Sequence, residues 1–169
     1  MEPKFTGPSF TIGIEEELMI LDAETLSLAN AIEAVLEEYG GESGEVKPEL
    51  LEPVLEIATD PHPDTRAAGE QLRALRRSVA EAAGRRDLLI GSAGTHPFAL
   101  WEDQRVSSHP RYRELISALR FVARQEIIFG LHVHVGVDDA DKAIHIANGM
   151  RVHVPILFAL AANSPFWRA

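Results

Sequence analysis

The clearest pattern in the chain is an alternation of two. Across residues 11–21, Ile12, Ile14, Leu18 and Ile20 fall on one side of an extended backbone, with Gly13, Glu15, Glu17, Met19 and Leu21 on the other. A pleated strand imposes that period, so a strand is predicted here. Glu16 lands among the apolar residues, where the alternation gives it no role. A turn over 22–27 follows. Asn30 then reads as the N-cap of a helix carrying Ile32, Val35, Leu36 and Tyr39 at helical spacing and stopped by Gly40 and Gly41. "GGESGEV" predicts a loop, and residues 54–59, beyond Pro53, a second strand.

Asp64 is placed to cap a long helix whose apolar stripe is Ala68, Leu72, Leu75, Val79 and Ala82, with its arginines on the solvated face. "DLLIGSAG" predicts a short buried strand and "THPFALWEDQRV" an irregular loop. A second long helix is expected over 111–128, with Tyr112, Leu115, Ile116, Leu119, Val122 and Ala123 facing the core. "GLHVHVGV" alternates strictly, with Leu131, Val133, Val135 and Val137 on one side and His132, His134 and Gly136 on the other. Asp138 and Asp139 can cap a last helix from about residue 140, kinked at Pro155 and ending near "ANSPFW". No repeat, low-complexity segment or linker divides the chain, so residues 1–169 are expected to form one domain. Strands with a single apolar face beside long helices predict an α+β fold, an antiparallel or mixed sheet with helices on one face.

Composition narrows the function classes. Of 169 residues, 46% are apolar and 25% charged, and 26 Asp and Glu stand against 16 Lys and Arg, so nucleic acid is not an expected partner. The absence of cysteine excludes disulfides, thiolate catalysis and Cys-type zinc sites. No basic flank leads into an apolar run near the start, and the longest apolar run, residues 154–162, is short for a membrane span. A cytoplasmic location with no membrane partner is the resulting expectation.

The candidate chemistry lies on the polar sides of three strands, where Glu15 and Glu17, Glu56, and His132 with His134 sit behind core-facing neighbours. Side chains two apart on a strand start about 7 Å from each other. Two carboxylates brought to about 5 Å repel by about 3 kcal/mol at an effective dielectric of about 20. Protonation, a basic neighbour, open water or a divalent cation can offset this. An oxygen-rich set with an imidazole suits Mg²⁺ or Mn²⁺ better than zinc. Each part also has an ordinary reading: a glutamate run is usually a solvated face, Glu56 alone a solvent-side residue, and His96 a loop residue bonded to backbone. Trp101 and Trp167 read as packing aromatics and Asn163 as a helix-end polar group. The shared geometry favours cation binding over independent surface accidents.

"TIGIEEELMILD", "KPELLEPVLEIAT", "AGTHPF", "DQRV…PRY", "GLHVHVGV" and "ANSPFW" occur in that order. Together they resemble the amino-terminal half of the bacterial carboxylate–amine ligase family, also called glutamate–cysteine ligase type 2. The resemblance implies a partial glutamine-synthetase-like catalytic fold, a curved sheet holding ATP and divalent metals on its concave face. It implies ATP-dependent amide formation, in which an amino-acid carboxylate such as that of glutamate takes the γ-phosphoryl group and an amine such as that of cysteine displaces phosphate. By resemblance, Glu15, Glu17, Glu56 and His132 match metal-binding residues. Glu49 and His134 match groups nearer the substrate, and Thr95 and His96 match the substrate end. ATP and Mg²⁺ or Mn²⁺ are the implied cofactors.

Family members are roughly twice this long, so the chain is expected to be weakly active or inactive alone and to self-associate or pair with a completing chain through the apolar stretch "VPILFALAA". Two rivals stand beside the ligase reading. One is a His-x-His metal hydrolase. The other is a non-catalytic metal- or nucleotide-binding remnant acting as a partner subunit.

Overall fold

The strand with the three glutamates is the centre of the sheet. In the computed structural model, which describes residues 5, 7–41, 43–108, 112, 125 and 127–167, β1 (Ile12–Asp22) pairs antiparallel along one edge with β3 (Val54–Ala58). Its other edge carries two strands end to end. β5 (Leu131–Val135) lies beside Ile12–Glu16 and β4 (Leu88–Gly91) beside Met19–Asp22. β2 (Glu45–Pro48) adds to the far edge of β3. All four pairings are antiparallel, as the alternating patterns require.

One face of this sheet is packed by α1 (Ile32–Glu38) and α2 (Thr65–Gly84). Leu18, Ile20, Leu55 and Ile57 from the strands meet Ile32, Val35, Leu75, Val79, Ala82 and Ala83 from the helices in the main core. Asp64 caps α2 as expected, its carboxylate accepting the Ala67 N–H at 2.9 Å. On the opposite face a smaller cluster of Met19, Leu51, Val54, Ile127 and Phe129 covers the far end of β1, leaving the Glu15–Glu17 end open. Beyond β5 come α3 (Ala140–Met150), one turn of 3₁₀ helix over Arg151–His153, and α4 (Val154–Leu160). The expected kink near Pro155 is thus a change of helix type just before it.

Two sequence expectations change. β2 begins inside "GGESGEV", whose Gly and Ser predict a loop; it lies at the edge of the sheet, where the N–H that Pro48 lacks costs no ladder bond. Asn30 does not cap α1, whose N-cap is Ala31. Its amide instead accepts the Arg105 N–H at 2.9 Å and donates to the Asp103 carbonyl, a tertiary use that outcompetes the local one. The helix expected over 111–128 lies largely outside the described residues; Tyr112 itself is buried and donates its hydroxyl to the Pro48 carbonyl at 2.9 Å.

Glu16, which the alternation could not explain, is buried on the helix side. Arg76 of α2 grips its carboxylate bidentately at 2.6 and 2.5 Å, and Ser92, just past β4, donates at 2.8 Å. A fork of two N–H donors matches a carboxylate in shape and charge, so the pair ties β1 to α2 across the core boundary. Arg76→Met should destabilise the protein by about 2–3 kcal/mol in urea unfolding, below a fully buried pair because the guanidinium is partly solvated. Glu16→Leu combined with Arg76→Met should recover most of that loss, because no buried charge is then left unpartnered.

Candidate functional site

Register builds the site. Gly13, Glu15 and Glu17 of β1 stand opposite His134, His132 and Glu56 respectively, and Glu56 is in turn opposite Lys47 of β2. Because paired residues in a sheet point the same way, three strands deliver their polar side chains to one face, and a fourth adds Lys47. The helices occupy the other face.

Glu15 lies between the two imidazoles. Its Oε2 is 3.3 Å from His132 Nδ1 and 3.1 Å from His134 Nε2. Hydrogen bonding from His132, opposed by partial burial and aided by His134 and Lys47, holds the Glu15 carboxyl below the usual glutamate range. One donor atom from each of these three residues lies within 4.8 Å of the others, a grouping that could hold a metal ion. His134, assigned by resemblance nearer the substrate, is thus as close to Glu15 as His132 is.

Glu17 and Glu56 are held differently. Glu17 Oε2 accepts the Gly130 N–H at 2.8 Å, just before β5. Buried Glu56 has Lys47 Nζ 2.8 Å from its Oε1, an ion pair that answers its charge. Glu49 shares a cleft of about 200 Å³ with Glu17, Gly130 and His132. Burial, reinforced by Glu56 and Glu17, pushes its carboxyl above the usual range, while an N–H from Leu50 at 3.0 Å pulls the other way. The carboxylates therefore find partners within the protein, a possibility the sequence left open, yet their repulsion is not fully relieved at Glu49.

Thr95 and His96 lie elsewhere. Buried His96 has Nε2 2.9 Å from the Leu26 carbonyl, while Nδ1 accepts N–H groups of Phe98 and Ala99, so both ring nitrogens are engaged by backbone. Thr95 donates its hydroxyl to the Phe166 carbonyl at 2.8 Å, and Asn163 Oδ1 accepts the Gly94 N–H at 3.1 Å, joining "AGTHPF" to "ANSPFW". A Cβ on Gly94 would meet Ser164 Oγ at 2.0 Å, so a side chain here would force Ser164 to shift. The two segments wall a larger cleft of about 740 Å³, which opens where β4 ends and β5 begins and reaches Glu17 and the Glu16–Arg76 pair. Its size is that of a small-molecule site. Lys47, Arg76 and Asn163 are the contributors that sequence reasoning missed. Only the opposition of Lys47 to Glu56, which needs the β2 register, could have marked one of them.

This fold is that of glutamate–cysteine ligases. The glutamate–cysteine ligase (gshA) from Francisella tularensis in complex with AMP matches 88% of this chain and 31% of its own, with a TM-score of 0.61 and 21% identity. A bifunctional glutathione synthetase from Pasteurella multocida matches 83% of this chain and 18% of its own, with a TM-score of 0.55 and 15% identity. Residues 11–169 match the glutamate–cysteine ligase family 2 (GCS2), and the chain belongs to that family. Relatives named "Putative glutamate–cysteine ligase 2" from Solibacter usitatus and Sorangium cellulosum are 41% and 43% identical over 95% and 94% of this chain. The chain spans 42% and 43% of their lengths.

The shifted carboxyls make a pH test possible. Glu49 is raised in the folded state, so its ionisation costs stability, and that cost appears as pH rises from the ordinary glutamate value of 4.5 through the raised one. Glu15 is lowered, so its contribution is present above 4.5 and is lost on acidification through its folded value. In metal-free buffer, Glu49→Gln should raise the melting temperature at neutral pH, with the difference closing below about pH 4. Thermal unfolding from acid to neutral pH checks this.

Proposed function

We propose that this chain supplies the cation-holding sheet face of an ATP-dependent carboxylate–amine ligase of the glutamate–cysteine type. The observation that carries the reading is the register: Glu15 opposite His132 and Glu17 opposite Glu56, with Glu49 in the adjoining cleft. Family membership supports the same reaction class. In that reaction a carboxylate oxygen attacks the γ-phosphorus of ATP and ADP leaves, giving an acyl phosphate; an amine then attacks the acyl carbon and expels phosphate.

A polyphosphate cannot approach four carboxylates unaided, and Lys47 is already committed to Glu56. Bound Mg²⁺ or Mn²⁺ would supply charge neutralisation and polarisation of the phosphoryl oxygens. The donors fit such an ion: Glu15, His132 and His134 lie close enough to share one, while Glu17, Glu49 and Glu56 offer further carboxylate oxygens nearby. Gly130 aims Glu17 through its N–H, and Lys47 holds Glu56 in place.

One specific observation favours a second reading. A carboxylate with two imidazoles is also a donor set used by zinc hydrolases. The two readings separate by ligand. Mn²⁺ with ATP should raise the melting temperature more than either alone, by about 2.7 kcal/mol of stabilisation at a hundredfold excess over Kd. Glu15→Ala and His132→Ala should abolish the Mn²⁺ part of the shift. Stabilisation by Zn²⁺ alone, with no response to ATP, would support the hydrolase instead.

A further inference from the structure

We propose that Ser107 and Tyr112 are positioning residues for Glu49: their hydroxyls hold the backbone that carries it and so keep its carboxylate in the cleft beside Glu17. The proposal takes from the ligase reading only that Glu49 is one of the cation donors.

Strand register aims Glu15, Glu17, Glu56 and His132, because each sits inside a ladder whose pleat fixes the direction of its side chain. Glu49 has no such support. It follows the last residue of β2 and comes before β3 begins, in the connection that turns one strand into the other. Its charge is also repelled by Glu56 and Glu17, which favours swinging the carboxylate out of the cleft. A bond from the Leu50 N–H to Glu49 Oε2, at 3.0 Å, ties the side chain to its own backbone. Where that carboxylate points therefore depends on how the backbone around residue 49 is held.

The stretch "DQRV…PRY" does the holding. Val106 forms an isolated antiparallel bridge with Leu51, flanked by bonds from the Ser107 N–H to the Leu50 carbonyl at 2.9 Å and from the Glu52 N–H to the Arg105 carbonyl at 2.8 Å. Asn30 fixes the outer end by accepting the Arg105 N–H at 2.9 Å, and Arg105 Nε lies 2.9 Å from Glu52 Oε2. At the inner end, buried Ser107 donates its hydroxyl to the Glu49 carbonyl, and buried Tyr112 donates its own to the Pro48 carbonyl at 2.9 Å. Those two carbonyls belong to the peptide units on either side of the Glu49 Cα. Peptide units are planar, so holding both fixes the φ and ψ of Glu49 and with them the direction of its Cβ. Two hydroxyls in a remote segment thus do for Glu49 what the pleat does for the glutamates of β1 and β3.

The test is a cycle of variants read by Mn²⁺ titration, with free Mn²⁺ followed by electron paramagnetic resonance, and by amide exchange without metal. Ser107→Ala with Tyr112→Phe should weaken Mn²⁺ binding by about tenfold. Placed on Glu49→Gln, the same two substitutions should cost less than about twofold more, because the carboxylate they position is gone. In metal-free buffer the Leu50 amide, which Glu49 accepts, should exchange at least about tenfold faster in the hydroxyl variant, while Leu55 and Ile57 of β3 keep their rates. Should the paired substitution unfold the chain, Tyr112→Phe alone, which removes one oxygen, decides by the same two measurements. An equal loss of Mn²⁺ affinity in both backgrounds, or a Leu50 amide that exchanges as in the parent chain, would overturn the proposal. A faster Leu50 amide combined with Mn²⁺ affinity indifferent to Glu49→Gln supports the positioning role and removes Glu49 from the cation donors, so the two readings fail separately.

Discussion

Everything in this molecule that bears on function depends on the pleat of β1. A strand sends consecutive side chains to opposite faces, so a run of three glutamates is divided, Glu16 one way and Glu15 with Glu17 the other. The two faces treat charge in opposite manners. On the helix side the carboxylate is buried and answered by a guanidinium and a hydroxyl. On the other side the carboxylates meet imidazoles, a backbone N–H and a lysine that leave part of their charge unanswered. A shift of one residue in register would bury two glutamates against Leu55 and Ile57 and expose the core, so packing and site are enforced together.

The same strand explains why the site is open at one end only. Its last residues on the site face are Met19 and Leu21, and Met19 joins Val54, Leu51, Ile127 and Phe129 in the second apolar cluster. That cluster supports the strand from the side the helices do not reach. It also brings residue 129 to Gly94, where the Phe129 N–H meets the Gly94 carbonyl at 3.0 Å, so the excursion between β4 and β5 leaves and returns at one place. The larger cleft lies at that gap. It touches both the Glu16–Arg76 clamp and Glu17, so it is walled from both sides of β1.

Legibility in the sequence followed period. Strong alternation in β1 and β5 and the long stripe of α2 were readable because one face of each is core, and a two-residue or 3.6-residue repeat is all that this demands. The convergence of Glu15, Glu17, Glu56, His132 and His134 on one face followed from the same alternation once the strands were placed. β2 was not readable, because an edge strand with one partner needs neither apolar residues nor a full ladder; Lys47 was lost with it. The role of Asn30 and the link from Asn163 to Gly94 rest on contacts between residues about 70 positions apart, which no local pattern carries. Glu16 is intermediate: its burial was legible from parity, but its partner was hidden among the arginines of a helix face that reads as solvated.

The two donor sets differ in a way that follows from which strand each residue came from. β5 contributes imidazoles because its inward-facing positions are His132 and His134, so the set around Glu15 mixes nitrogen with oxygen. β3 and the segment before it contribute only carboxylates, so Glu17 stands among oxygens, which among the described residues do not gather as closely as the Glu15 group. Imidazole favours transition ions such as Mn²⁺ over Mg²⁺ more than carboxylate does, and hard oxygen sets discriminate less. Burial holds the Glu49 carboxyl above its usual range, and Lys47 stands as a charge partner beside Glu56.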